Sequence, residues 1–265
     1  MPVVSRLPLD ASLLDAMLVT CLTWDWLRLA AGLSLAFRGY LRPGELALLR
    51  KQHLRFQGRP KPIVVVLALV RPKNRFRAAR VQAVTIDDPV AVRLASAAHG
   101  RLRHNELLLP GGTAGFTTNF EVLVSTLGCA SIGYTPGSLR SGGVVADFAA
   151  GTCNLTDIMF KGRWEAPRSV SRYLQAGMAA WAMTHVPEGA ADLAHGLAQL
   201  LPDLLLDTRL RAVAPLPAHR PAPAAADIAP IQDRGEVHSA SGMVEDDPDA
   251  DQDREFFRGW QLVPA

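Results

Sequence analysis

Thr135-Pro136-Gly137-Ser138-Leu139-Arg140-Ser141-Gly142-Gly143 leads into the apolar stretch Val144 to Ala150. A Pro-Gly turn before an apolar run predicts a helix over 142–150 with Arg140 at its threshold. A guanidinium there has a structural use, pairing with Asp147 or Asp157, and a chemical one, gripping two oxygens of a phosphate. Upstream, Gly39-Tyr40-Leu41-Arg42-Pro43-Gly44-Glu45-Leu46-Ala47-Leu48-Leu49 has the same form. Pro43 suits the first turn of a helix running to about His53. Glu45, on an early turn of that helix, complements the dipole and is placed to orient Arg42.

Downstream come Ile158-Met159-Phe160-Lys161-Gly162-Arg163-Trp164 and, nine residues after the tryptophan, Tyr173 within Ser171-Arg172-Tyr173-Leu174. Gly151 separates the helix over 142–150 from one over 154–160. Ser169 to Thr184 is expected to be a single helix carrying Tyr173. Pro187 interrupts the pattern, and Ala190 to Leu201 reads as a final packing helix. Toward the N-terminus, Ser12 to Phe37 has few breakers and helical apolar spacing, which predicts one or two helices. Trp24 and Trp26 within it read as core or domain-edge packing rather than a stacking platform. Ile63 to Val70 is apolar and β-branched, Ala79 to Ile86 alternates, and Arg71-Pro72-Lys73-Asn74-Arg75-Phe76-Arg77-Ala78 lies between them. That pattern predicts a β-hairpin on a basic turn. Asp88-Pro89 starts a helix over Val90 to His99, Pro110-Gly111-Gly112 marks a loop, and Thr117 to Leu127 reads as helix. The fold class is mainly α with one small β-hairpin or sheet, α+β.

The four blocks around Arg42, Arg140, Trp164 and Tyr173 resemble the tyrosine recombinase (phage integrase) family, especially eukaryotic mobile-element members. The resemblance covers roughly Leu13 to Met183. It implies a catalytic-domain-like fold and DNA strand cleavage and rejoining through a 3′-phosphotyrosyl intermediate. Free tyrosine titrates near pH 10, so about one molecule in a thousand is phenolate at pH 7 and a site must activate it. By resemblance Tyr173 is the nucleophile and Arg42 and Arg140 stabilise charge on the phosphorane oxygens. Trp164 donates through its indole and packs against the nucleophile helix, Lys73 at the hairpin tip is the general acid, and Glu45 supports Arg42. Arg71, Arg75, Arg77, Arg80, Ser138 and Arg163 are the expected DNA contacts. The partners implied are double-stranded DNA and a homo-oligomer, a tetramer in this family; no metal and no cofactor is required. One departure bears on activity. The family's second arginine motif is His-x-x-Arg, and its histidine position here is Gly137; Ser138, His53 and His185 are the candidates to compensate.

Length and charge set the frame. A chain of 265 residues, 49% hydrophobic, is long enough to bury a core of one or two domains. Residues 213–265 are Pro- and Ala-rich and then acidic over Glu245 to Glu255, a composition that predicts disorder. Residues 1–212 hold 24 Lys plus Arg against 15 acids, while the whole chain is only +3. The excess favours a polyanionic partner. The expected organisation is a short extension over 1–11, a catalytic domain over 12–212, and a tail over 213–265. The family's core-binding domain is absent or truncated, or the chain is a fragment of a longer element. Cys21, Cys129 and Cys153 match no metal-ligand spacing and fit a reducing compartment. No stretch reaches membrane-spanning length, and the expected location is intracellular, nuclear if the source is eukaryotic. Two further readings remain open: a degenerate or domesticated recombinase that binds DNA without cleaving it, and a helical interaction protein whose acidic tail is its functional part.

Overall fold

A computed structural model describes residues 7–69, 82–171, 173–174 and 176–206. Lys73 and the other residues of the expected basic turn, Arg71, Arg75, Arg77 and Arg80, lie outside the described residues, as does the tail.

The interior is organised around a helical pair. Helix α1 (Ala11–Thr23) starts at Asp10, whose carboxylate accepts from the Ser12 amide and hydroxyl, and it ends where Asp25 takes a positive φ of 58°. Helix α2 (Leu27–Arg38) follows, buried on nearly every residue from Leu27 to Phe37. An all-round apolar helix must be covered on every side. Helix α4 (Pro89–His99) and helix α6 (Gly137–Ala149) both pack on α2, while the long α10 (Glu188–Leu206) lies along α1. The expected single region of one or two helices is thus two. Trp24 and Trp26 meet edge to face at 5.0 Å between centroids, half-buried against the core.

Helix α3 (Pro43–Leu48) is shorter than the reading to His53. Tertiary pairing captures the chain instead. Leu108 donates its amide to Leu49 O, and Arg50 bridges Leu107. A 3-10 turn over Lys51–His53 then leads into β1 (Leu54–Gln57). The expected hairpin is present as β2 (Val64–Leu69) and β3 (Gln82–Ile86), joined by β1 in an antiparallel sheet of order β1-β2-β3. Leu54 pairs with Leu67 and Val65 with Ile86, so buried side chains lie on one face. The sequence reading missed β1 because its four residues fall directly after an assumed helix.

Two boundaries moved earlier. Helix α5 (Gly112–Thr126) begins five residues before Thr117, and α6 begins at Gly137, so Arg140 stands inside the first turns of a helix. The expected single helix over Ser169 to Thr184 is instead α8 (Pro167–Ser171) and α9 (Ala176–Thr184), with α7 (Leu155–Gly162) preceding them. Tyr173 sits in the break between α8 and α9. Mainly helical architecture with one small antiparallel sheet is therefore established.

Close approach of α6 to α2 depends on glycine. A Cβ on Gly143 would collide with the Phe37 carbonyl and one on Gly142 with Leu9 O, both backbone atoms that cannot step aside, whereas Gly44 has open space around it. Gly143→Ala is expected to cost upward of 3 kcal/mol or prevent folding. Gly44→Ala, with no clash, is expected to be neutral or stabilising by about 0.5 kcal/mol. Urea unfolding of the two variants measures the contrast.

His99, at the end of α4, is fully buried, and neither ring nitrogen has a hydrogen-bond partner. Burial, with the charges of Arg28 and Lys51, depresses its pKa to about 3. The unfolded imidazole binds a proton near pH 6.5 that the folded one refuses. Stability is therefore fully present above pH 6.5 and is lost as pH falls toward 3, at up to about 1.4 kcal/mol per pH unit. Urea midpoints at pH 7.5 and pH 5 are expected to differ more in the wild type than in His99→Leu.

Candidate active site

Arg140 is 2% exposed, and its neighbours come from three separate parts of the chain. Its Nη1 donates to the carbonyl of Tyr40, and its Nη2 to the carbonyl of Gly162 at 2.8 Å. The guanidinium carbon lies 4.2 Å from the Trp164 ring centroid and 5.6 Å from that of Tyr173. The two rings also touch, tilted by 49° with centroids 4.9 Å apart. Arg140, Trp164 and Tyr173 are thus gathered into one stack on a small apolar cluster of Tyr40, Val144, Ile158 and Val170.

Local sequence explains the stack. Asn154 caps α7 by accepting from the Asp157 amide, and Asp157 returns a carboxylate to the Asn154 amide. Helix α7 ends at Arg163, which adopts a left-handed φ of 61° and turns the chain back. A Cβ on Gly162 would fall within the Trp164 ring, so only glycine lets the indole fold against the helix end. Tyr173 reaches the stack from outside a helix: its amide bonds Val170 O at 2.8 Å, closing a tight turn at the end of α8. Trp164, expected to act through its indole N–H, meets its neighbours here through ring contacts.

A second layer joins Arg42 to this stack. Glu45, 8% exposed, accepts from the Arg42 amide at 2.9 Å and from Arg42 Nη1 at 3.0 Å. Its other strong partner is Arg163 Nη2 at 2.7 Å, both side chains being almost fully enclosed. Arg163 also donates to Tyr40 O at 3.2 Å, so one carbonyl receives two guanidiniums. Burial alone would raise the Glu45 carboxyl, but Arg163, Arg42 and the Arg42 amide outweigh it and hold it below the usual range. Glu45 is thus the anion that ties Arg42 to Arg163, and Arg163 meets Arg140 at the Tyr40 carbonyl.

The site carries unbalanced positive charge. The charged groups that act on Arg140 are Arg42, Arg163 and Glu45, so that with Arg140 itself three guanidiniums stand against one carboxylate. Burial first, then crowding by Arg42, depresses the Arg140 guanidinium to about 9, and burial also lowers that of Arg163. The Nε atoms of both arginines are buried without an acceptor. Orphaned charged donors are costly.

Tyr40 anchors the back of the site. It is fully buried at a positive φ of 48°, and its hydroxyl donates to Asp147 Oδ2 at 2.6 Å. Lys161 Nζ reaches the same oxygen at 2.7 Å, and Arg38 approaches the other at 3.7 Å. Burial and the Asp147 bond push the Tyr40 phenol well above the ordinary tyrosine range, so it serves as a fixed donor. Asp147 therefore serves Tyr40 and Lys161, and the structural alternative of an Arg140–Asp147 pair is not what forms.

Two expected DNA contacts are corrected. Ser138 is fully buried, and its hydroxyl accepts from the Thr135 amide at 3.1 Å, so it shapes the turn before α6. Arg163, with a side chain 6% exposed, is an internal tie rather than a surface cation. The histidines weighed against Gly137 are engaged elsewhere: His53 with the Arg50 amide and Gln52, His185 with Trp181. Tyr40 and Lys161 were given no role from sequence, and Asp147 was weighed there as a partner of Arg140 alone; the Gly39-Tyr40 turn before Arg42 was the one signal for Tyr40. Among the described residues no three His, Cys, Asp or Glu side chains are grouped to hold a metal, and no helix is long and apolar enough to cross a membrane. The three cysteines are free thiols. No protein-family model matches the chain and no curated protein matches it.

Glu45→Gln takes the carboxylate from the enclosed Arg163 and the partly exposed Arg42 and is expected to cost about 3 kcal/mol in urea unfolding at pH 7. Because the folded carboxyl titrates below its unfolded value, the wild-type advantage is fully present above about pH 4.5 and is lost as pH falls through the depressed value. The difference between variant and wild type should therefore shrink in acid.

Proposed function

We propose that this chain cleaves and rejoins DNA strands in the manner of a tyrosine recombinase. The observation that carries the reading is the Arg140–Trp164–Tyr173 stack joined to Arg42 through the Tyr40 carbonyl, Arg163 and Glu45, an assembly of residues spread along the sequence around one cation-rich spot. A phosphodiester is the anion that such a spot suits. Arg42, with a side chain 29% exposed, faces it from the solvent side, and the free Nε of Arg140 and Arg163 lie behind.

In this reading the Tyr173 oxygen attacks phosphorus while the bond to the 5′-oxygen breaks. A 3′-phosphotyrosyl link and a 5′-hydroxyl result. Lys73, outside the described residues, gives the leaving oxygen its proton. Arg42 and Arg140 stabilise the phosphorane oxygens, each well-placed donor being worth roughly 10²- to 10³-fold. The phosphotyrosyl bond retains the energy of the phosphodiester, so a second strand's 5′-hydroxyl reverses the step without ATP. The same reading places the protein on double-stranded DNA as a homo-oligomer, intracellular and nuclear if eukaryotic.

A second reading, DNA binding without cleavage, has two observations in its favour. Gly137 offers no side chain where the family has histidine, and both Nη atoms of Arg140 are already given to backbone carbonyls. A nicked duplex that traps the covalent intermediate separates the two. The wild type is expected to form an adduct that survives denaturation, Tyr173→Phe none, and Arg42→Ala roughly 10²-fold less. Retardation of the duplex by wild type without any adduct would sink the cleavage reading in favour of binding alone.

A further inference from the structure

Residues 50–62 and 100–107 together hold seven lysines and arginines and one acid, Glu106. The fold brings these segments side by side. Arg50 bridges Leu107, the Lys51 amide donates to Glu106 O, and the Gln52 amide to His104 O, both at 2.9 Å. The single acid is engaged on its inner side by Arg28 at 2.8 Å. Arg50, Arg55, Arg101 and Arg103 are exposed. Where Arg50 and Arg55 make hydrogen bonds, their acceptors are carbonyls: Asn105 O at 2.5 Å for Arg50, Gln52 O and Leu54 O at 3.1 Å for Arg55. Carbonyls fix the guanidiniums in place without cancelling their charge. The local field registers on the neighbours: burial and Arg55 lower Lys51, and burial, Arg50 and His104 lower His53.

We infer that this face, formed by the 50–55 segment and the 101–106 loop, is a second docking surface that grips the phosphate backbone of duplex DNA beside the cleavage site. The inference rests on the reading of DNA as substrate. Position supports it, since α3, six residues and roughly 9 Å long, is what separates Arg42 from Leu49 and Arg50. Over that length one DNA strand presents about two or three further phosphates. Duplex is favoured over single-stranded nucleic acid because stacking needs a bare aromatic face. The one phenylalanine, tyrosine or tryptophan in these segments is Phe56, half-buried with Lys51 Nζ 4.9 Å from its ring centroid. Contacts of this kind position a duplex without reading its sequence.

The test is fluorescence anisotropy with a labelled duplex of arbitrary sequence, titrated at several salt concentrations between about 50 and 200 mM. Wild type is compared with the Arg50→Ala, Arg55→Ala, Arg103→Ala triple variant, with circular dichroism and thermal midpoint confirming the fold. Each lost phosphate contact removes about 0.9 from the slope of log affinity against log salt, so the triple variant should lose about 2 to 3. If the triple variant does not fold, Arg55→Ala and Arg103→Ala are measured singly and each should lose about 0.9. An unchanged slope overturns the inference, as does an equal loss on a single-stranded oligonucleotide. The nicked substrate keeps the two ideas apart. Adduct formation with an unchanged slope removes the docking surface and leaves cleavage standing; a reduced slope without any wild-type adduct does the reverse.

Discussion

Two guanidiniums share one carbonyl oxygen, that of Tyr40, and the candidate site depends on that sharing. Arg140 comes to it from α6 and Arg163 from the end of α7, so a single backbone atom sets the distance between two distant parts of the chain. Tyr40 can offer its carbonyl in this direction because it occupies the left-handed region, a conformation costly for a residue with a side chain. Its hydroxyl bond to Asp147 and full burial hold it there. Asp147 lies on α6 itself, so the helix that brings Arg140 to the carbonyl also fixes the residue that provides it.

Charge follows from the same arrangement. Three guanidiniums close to one another repel, and Glu45 offsets part of that repulsion by bonding Arg42 and Arg163 at once. The remainder stays in a largely enclosed place, where the interaction is screened less than at the surface. Native proteins do not keep such an excess for stability, because buried charge is at best a weak stabiliser. Excess of this kind is what an anion-binding site requires before its ligand arrives, with donors already fixed and no reorganisation left to make.

Sequence reading reached the helices whose signals were local. Asp88-Pro89 did start α4, with the Asp88 carboxylate on the Ala91 amide, and the β2–β3 pattern placed both strands within a few residues. It failed where tertiary pairing overrides a local period. Helix α3 stops at Leu48 because residues 49–52 pair with 104–108, a partner more than fifty positions away that no window contains. The helix through Tyr173 breaks where its ring joins Trp164 and Arg140, a stack invisible to periodicity. Residue types at the site were legible, since Arg42, Glu45, Arg140, Trp164 and Tyr173 are brought together. Roles within it were not: Arg163 and Ser138 looked like surface contacts because burial of a polar side chain depends on what the rest of the fold lays over it.

Burial of Arg140 bears on how such a site would work. A guanidinium whose Nη atoms are bonded to Tyr40 O and Gly162 O is held in place and cannot swing out to meet a ligand; two of its five N–H groups are so engaged, its Nε is enclosed, and what it offers from there is chiefly its charge. Arg42 differs, being half-exposed and paired with Glu45 through one nitrogen. The two arginines are therefore unequal partners for a phosphate. Arg42 is the direct bidentate candidate, and Arg140 is a fixed positive field beneath the rings of Trp164 and Tyr173.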